Sequence, residues 1–219
     1  MNENWNISGL ILEGVCGTGK STVFRALQQS ERFSRRSFLS AIVLSEHQTQ
    51  RVLERKEREV GLAVADNVGL LDQHVSYLEA VRDRLDQMEW CQNNRTNMRV
   101  PYILERFHFT HVYHYPHMTW EHVQPIDHRL SELNCKLCLL TISDALLQER
   151  IIDNRNAAWR EYLSRYGQTD EEILQHYATQ QQVLRDLCKR SEIDSLILDT
   201  SLIGVDDAVN QAMDFWGAT

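Results

Sequence analysis

Five short apolar runs punctuate an otherwise polar chain: Ile7–Glu13, residues 38–44, Val100–Glu105, residues 133–142 and Ser195–Asp199. Each has the length and the Ile, Leu and Val content of a buried strand. Pro101 is tolerable only at the start of its strand, because proline cannot donate to a ladder. Between the runs, apolar residues recur at helical spacing. Val68, Leu71, Val75, Leu78, Val81, Leu85 and Met88 step by three or four and form one stripe. Gly61 and Gly69 are expected to divide this helix from a more polar one over 48–59. Residues 145–152, Asp170–Arg190 and Val205–Phe215 read as further helices, the last with Asp206 and Asp207 in the first turn, where negative charge suits the helix dipole. Strands alternating with helices predict an α/β fold, a parallel sheet covered on both faces. No repeat, low-complexity tract or linker divides the chain, so residues 1–219 read as a single domain.

Composition narrows the function. At 219 residues the chain fits one α/β domain with insertions and can bury a full core. A net charge of −8 argues against broad nucleic-acid binding, which needs a basic face. Arg51, Glu54, Arg55, Lys56, Glu57, Arg58 and Glu59 interleave both signs, the pattern of a solvated, ion-paired face. No apolar run approaches the ~20 residues that span a bilayer, so no membrane partner is expected. The first residues lack the basic start and apolar core of a signal peptide, which predicts a cytoplasmic chain. Cys16, Cys91, Cys135, Cys138 and Cys188 then read as reduced thiols. Cys135 and Cys138 have C-x-x-C spacing, but no second pair completes a zinc site and both lie in a strand-like run, so buried thiols are expected.

One stretch carries specific chemistry. Gly14-Val15-Cys16-Gly17-Thr18-Gly19-Lys20-Ser21, followed by Thr22, matches G-x-x-x-x-G-K-[ST] at every fixed position. It sits between an apolar strand and a helix, the context the motif requires. Glycines let successive N–H groups turn inward around an anion, and the helix N-terminus aims its positive end there. Lys20 can reach the β- and γ-phosphates, and the Ser21 hydroxyl can serve as a magnesium ligand.

Ligands of an open parallel sheet collect beyond the carboxyl ends of its strands. After the second strand stands Glu46, placed to accept or orient the proton of an acceptor hydroxyl. Glu105 ends the third strand, where a buried carboxylate needs a polar partner; it is expected to hold magnesium through water, opposite Ser21. Arg106 beside it is a donor fork suited to phosphate oxygens. Arg150, Arg155 and Arg160 recur every fifth residue, a spacing of ~140° per step that puts them on different faces of one helix. A mobile lid could bring two of them over the phosphates, Arg155 ranking before Arg150.

The histidine-rich stretch at 107–117 has His108, His111, His114 and His117 at every third residue. Such steps drift ~60° around a helix, no carboxylate lies among them, and Pro116 interrupts. A catalytic metal is therefore disfavoured. These residues are expected to line the acceptor pocket or to pack against the long apolar helix.

With these pieces in order, the chain resembles the P-loop kinases of nucleosides and nucleotides, most of all the thymidylate kinase and deoxynucleoside kinase branch. Residues 14–22 resemble its phosphate loop. Tyr102-Ile103-Leu104-Glu105-Arg106-Phe107 is similar to its strand ending in Glu-Arg or Asp-Arg. Residues 150–160 with Glu161-Tyr162-Leu163 look like its lid, and Ile197-Leu198-Asp199-Thr200-Ser201 like its closing strand, whose loop borders the adenine. The resemblance implies a three-layer P-loop NTPase fold, sheet order 2-3-1-4-5, an arginine-bearing lid at about 150–168, and ATP with Mg2+ as donor. The sequence departs from the branch at Glu46-His47, where Glu-Pro is common, and at Arg106-Phe107, where deoxynucleoside kinases have Arg-Ser. The function expected is ATP-dependent transfer of the γ-phosphoryl group to a small-molecule acceptor. That acceptor is a nucleoside or nucleotide or, alternatively, a non-nucleotide metabolite or antibiotic hydroxyl. A regulatory nucleotide-binding module with little turnover stands as a third reading. No Asn-Lys-x-Asp stretch supports a GTPase, and a homodimer is left open.

Overall fold

The computed structural model describes residues 7–36, 40–89, 100–153 and 156–217. Five strands, β1 (Ile7–Glu13), β2 (Ile42–Leu44), β3 (Val100–Glu105), β4 (Cys135–Thr141) and β5 (Ser195–Asp199), form one parallel sheet in the order β2-β3-β1-β4-β5. β1 is buried along its whole length and lies between β3 and β4. Its side chains alternate between two cores, as a strand must. Leu10 and Leu12 meet α1 (Lys20–Gln29), α2 (Glu31–Arg36) and the closing helix α11 (Val205–Phe215) through Val23, Leu27, Phe33 and Met213. Ile7 and Ile11 face the opposite core, which α5 (Val64–Gln87), α6 (His108–His114), α7 (Trp120–Glu132) and α10 (Asp170–Arg190) cover.

The helices following the adjacent strands β1 and β3 thus leave to opposite faces. That divergence opens a crevice at the carboxyl edge between them, the place where such sheets bind ligands. Register puts the two strand ends level: Leu12 pairs with Glu105, and the Arg106 N–H donates to Leu12 O at 3.0 Å. Gly9 has a packing reason, since a Cβ there would lie 1.9 Å from the Tyr102 ring that crosses it.

Several boundaries differ from the sequence expectation. The second strand covers only Ile42–Leu44, and 37–39 lie outside the described residues. The fourth begins at Cys135 because Leu133 and Asn134 make the turn that ends α7, Asn134 with φ 51°. Gly69 does not divide helices. It lies inside α5, which starts at Val64, where the Asp66 carboxylate accepts the Ala63 N–H at 3.0 Å. Of the expected stripe, Leu71, Val75 and Leu78 are fully buried, while Met88 is 47% exposed. Gly61, with φ 81°, does end a helix. The expected helix over 48–59 is three pieces: α3 (Glu46–Thr49), a 3-10 turn (Arg51–Leu53) and α4 (Glu54–Val60), separated where Gln50 leaves helical geometry with φ −144°. α4 buries no residue, and Arg51–Glu54 and Arg55–Glu59 pair along this exposed stretch.

Cys135 and Cys138 are free and buried on opposite faces of β4, so a strand puts this C-x-x-C pair beyond each other's reach. Burial pushes both thiols up to about 12. Cys91 lies outside the described residues. No helix among the described residues is long and apolar enough to cross a membrane.

Candidate active site

The turn after β1 has the backbone that its glycines were read to supply. Gly14 takes φ 151° and Gly17 φ 84°, values that side chains disfavour. A Cβ on Gly14 would sit 2.7 Å from Leu140 O, and one on Gly17 would press Ile151 at 3.0 Å. The Thr18 hydroxyl donates to Val15 O at 2.9 Å and closes the loop, and α1 begins as Thr22 and Val23 donate to Gly19 O. This is a concave run of backbone amides at a helix N-terminus, and its residues fit a polyphosphate.

Lys20 is 4% exposed, and its Nζ lies 2.9 Å from Glu105 Oε1 and 3.8 Å from Glu46 Oε2. Burial, with Arg106 nearby, holds its ammonium below the ordinary lysine range, although Glu105 and Glu46 oppose this. Glu105 Oε1 also accepts the Ser21 hydroxyl at 2.9 Å, and Oε2 accepts the Glu46 N–H at 3.3 Å. Burial works to raise the Glu105 pKa, but Lys20, Ser21 and the Glu46 amide outweigh it and leave the carboxyl below its usual range. Ser21 Oγ and Glu105 Oε1 are the adjacent hard oxygens that could serve a magnesium ion.

Glu46 opens α3 and is clasped from three sides: Arg106 Nε at 2.8 Å, Lys20, and an Arg51 guanidinium nitrogen at 3.6 Å. Arg106 has φ 53°, an uncommon left-handed conformation for a long side chain, at the strand tip. Its guanidinium also donates to the Tyr113 hydroxyl at 2.5 Å. The four residues expected to do chemistry together, Lys20, Glu46, Glu105 and Arg106, therefore form one hydrogen-bonded group. Arg150 is placed beside the glycine loop. It sits in a π-helical segment, Glu149–Asp153, that follows α8 (Asp144–Gln148) beside Gly17, and donates to the Thr200 hydroxyl and carbonyl at 3.0 and 2.9 Å. The same hydroxyl donates to Thr18 O at 3.0 Å, tying the phosphate loop to the turn after β5. Arg155 lies outside the described residues.

Sequence reasoning passed over several neighbours. Glu13, the last residue of β1, is fully buried and accepts from Phe107 N at 2.8 Å, Thr110 N at 3.2 Å and the Thr110 hydroxyl at 2.6 Å. It caps α6 from another strand; the only signal was a carboxylate directly before the glycine loop. An aromatic wall also went unread. Trp159 stacks on Tyr162 at 5.0 Å within α9 (Ala157–Leu163), Tyr162 bonds Tyr166 through their hydroxyls at 2.9 Å, and Tyr166 stacks on His176 at 4.5 Å. Trp159, Tyr162, Tyr166 and Tyr113 all pack against the same hydrophobic core, and Tyr166 and Tyr177 stand edge to face at 5.8 Å.

The histidine-rich stretch splits its contacts. His108 pairs with Asp127 of α7 at 2.9 Å, both fully buried. His111 and His117 reach Asn67 of the long helix at 2.8 and 2.9 Å, the packing reading of the sequence. Among the described residues no three His, Cys, Asp or Glu side chains could hold a metal together. A cavity of about 360 Å³ at the amino end of β5, lined by Gln182, Arg185, Cys188 and Lys189 among others, contains none of the residues above.

No protein-family model and no curated protein matches the chain. Among solved structures it is similar to the YorR protein of Bacillus subtilis in complex with phosphorylated GDP, at 14% identity, 94% of each chain covered and TM-score 0.57. It is similar to an unliganded sugar kinase from a Janibacter species, at 11% identity, with 97% of this chain and 96% of that one covered and TM-score 0.53. A gluconokinase from Sinorhizobium meliloti matches at 14% identity, with 96% and 91% covered and TM-score 0.50. At these identities the likeness is one of fold: the chain has the P-loop kinase fold, including the 2-3-1-4-5 strand order.

Proposed function

We propose that this P-loop kinase fold works as an ATP-dependent phosphotransferase moving the γ-phosphoryl group to a hydroxyl of a small acceptor. One observation carries the reading: Lys20, Ser21, Glu105, Glu46 and Arg106 converge at the mouth of an amide-lined loop. Residues 14–22 would hold the triphosphate, with Ser21 and Glu105 serving magnesium. When bound, the nucleotide and its metal supply the transferable phosphoryl group and a divalent charge.

The chain's own part is positioning and charge. Lys20 exchanges Glu105 for phosphate oxygens, which replace one anionic partner of its buried ammonium with another. Glu46 takes the acceptor hydroxyl proton as the acceptor oxygen bonds to the γ-phosphorus and the bond to the bridging oxygen breaks, leaving ADP. Arg106, bonded to Glu46 and Tyr113, offers donors to the charge that accumulates. The aromatic wall of Tyr162, Tyr166 and His176 supports an acceptor with a flat or apolar face, such as a nucleoside. Sugar kinase and gluconokinase structures on the same fold keep a non-nucleotide alcohol as the second reading.

Purified protein is tested by ADP release with ATP–magnesium and a panel of nucleosides, nucleotides, sugars and sugar acids. Turnover with one class, lost in Lys20→Ala, supports the reading and names the class. Tight ATP binding without turnover on any acceptor would favour the regulatory module. Undiminished nucleotide affinity and turnover in Lys20→Ala would sink phosphotransfer at this loop.

A further inference from the structure

Helix α3 is only four residues long, too short to be stable alone, because nucleation fixes more backbone than so few hydrogen bonds repay. Yet it carries Glu46. It is held from outside at both ends. At its start, Glu105 Oε2 accepts the Glu46 N–H at 3.3 Å. At its finish, each of the last two carbonyls meets an imidazole: His74 Nε2 of α5 lies 3.1 Å from Gln48 O, and His111 Nε2 of α6 lies 2.9 Å from Thr49 O. The Thr49 hydroxyl adds a 2.6 Å bond to Glu105 O. Carbonyl oxygens only accept, so both histidines carry their hydrogen on Nε2.

Behind His111 the network continues. Its Nδ1 lies 2.8 Å from Asn67 Oδ1, and Asn67 Nδ2 lies 2.9 Å from His117 Nε2. His111 and Asn67 are fully buried. With its Nε2–H given to Thr49 O, a neutral His111 keeps a lone pair on Nδ1, so we assign the Asn67 amide turned end for end from this placement, its amino group toward His111 and its oxygen toward an Nε2–H on His117, the two amide ends being alike in shape. Burial favours this neutral form, lowering His111 to about 4, with His108, His114 and His74 acting the same way and the Thr49 carbonyl opposing.

We propose that His111 and His74 are positioning residues, which clamp α3 by its terminal carbonyls and so present Glu46 to Arg106 and Lys20, with Asn67 and His117 fixing the His111 tautomer. The inference rests on the phosphotransfer reading only for its catalytic consequence. The mechanical claim stands separately and is tested separately.

The test compares His111→Leu, which fills the space without a donor, with His111→Gln, whose amide can still donate to Thr49 O. Amide hydrogen exchange at Thr49 and Gln50 should quicken roughly tenfold or more in the leucine variant, as for loss of one hydrogen bond. Exchange in α1 should not change, and the glutamine variant should stay near wild type. Nucleotide affinity should hold in both, while acceptor-dependent kcat falls ~10²-fold in the leucine variant alone, the scale of a small misplacement. Equal behaviour of the two variants, or wild-type exchange in His111→Leu, overturns the proposal. If His111→Leu does not fold, His74→Leu at its half-buried site replaces it, with the same quickened exchange expected and unchanged exchange overturning the clamp. Absence of turnover in the wild type would count against phosphotransfer, and the exchange data would still decide the clamp.

Discussion

On one side of the crevice, eight consecutive residues after β1 make a cradle mostly out of backbone, shaped by Gly14, Gly17 and Gly19 and closed by Thr18. On the other, Glu46, Arg51, Arg106 and Tyr113 come from separate elements and act through their side chains. The loop side draws its geometry from local chain conformation, so it needs few partners. The opposite lip has no such local source of order: Arg106 is fixed by Glu46 and Tyr113, and Glu46 by a helix that histidines hold. A backbone site tolerates side-chain change wherever only its amides are used, whereas a side-chain site transmits every loss of support to its neighbours.

The largest expected effect breaks both sides at once. Lys20→Ala should lower nucleotide affinity and turnover by ~10³-fold or more, since it removes the cation from the cradle. It should also destabilise the fold, because Glu105 is then left buried without its ion-pair partner. Calorimetric ATP titration and a melting curve check the two parts. Glu46→Gln should separate the sides: turnover falls by about 10²–10⁴-fold, the range of general-base catalysis, while ATP affinity stays within twofold or so. Comparable losses in both would mean that the lip and the loop are not separable.

Acid sharpens the contrast further. The folded pKa of His111 is lowered from 6.5 to about 4, chiefly by burial. Between those values the unfolded chain binds a proton that the folded chain refuses, so stability falls as pH drops from about 6.5 to about 4 and levels off below. The loss attributable to this buried group is roughly 3 kcal/mol, read by urea melts across that range. Glu105 is lowered from 4.5, so its stabilisation is present above that value and is lost only as pH falls through its lower folded pKa. The lip should therefore loosen before the loop does. Glu13→Gln is expected to cost about 1–3 kcal/mol, because an amide NH2 would face donors that now share a carboxylate. Its effect should appear in melting temperature more than in ATP affinity. Arg55→Ala, on the exposed ion-paired stretch, should change stability by less than about 0.5 kcal/mol.

This asymmetry also explains what was legible in advance. The cradle could be read because its residues are adjacent and each has a fixed reason to be there. Four of the five strands were readable almost to the residue, as apolar runs bounded by polar turns, even the largely half-buried edge strand β5. Glu105 and Arg106 were found by their place at a strand end. The fragmentation of 46–60 was not, since it depends on His74 and His111 taking α3 carbonyls from elsewhere in the chain. Gly69 misled because a lone glycine costs a long helix little once Leu71, Val75 and Leu78 pack beside it. Arg150 was expected on a lid over the phosphates; its hydrogen bonds to Thr200, fifty positions on, were not foreseen. Periodicity carries no information about such distant pairings.

Glu13 has a consequence for how this scaffold could change its diet. Its carboxylate ends the strand that leads into the glycine turn and, in the same stroke, anchors the first turn of α6, so the two walls of the crevice share one pivot. Under the proposed phosphotransfer, positions of α6 other than His111 could change and move Tyr113 toward a differently shaped alcohol while Glu13 keeps the glycine turn in place. One lip of the crevice would then be free to vary while the same hinge holds the other.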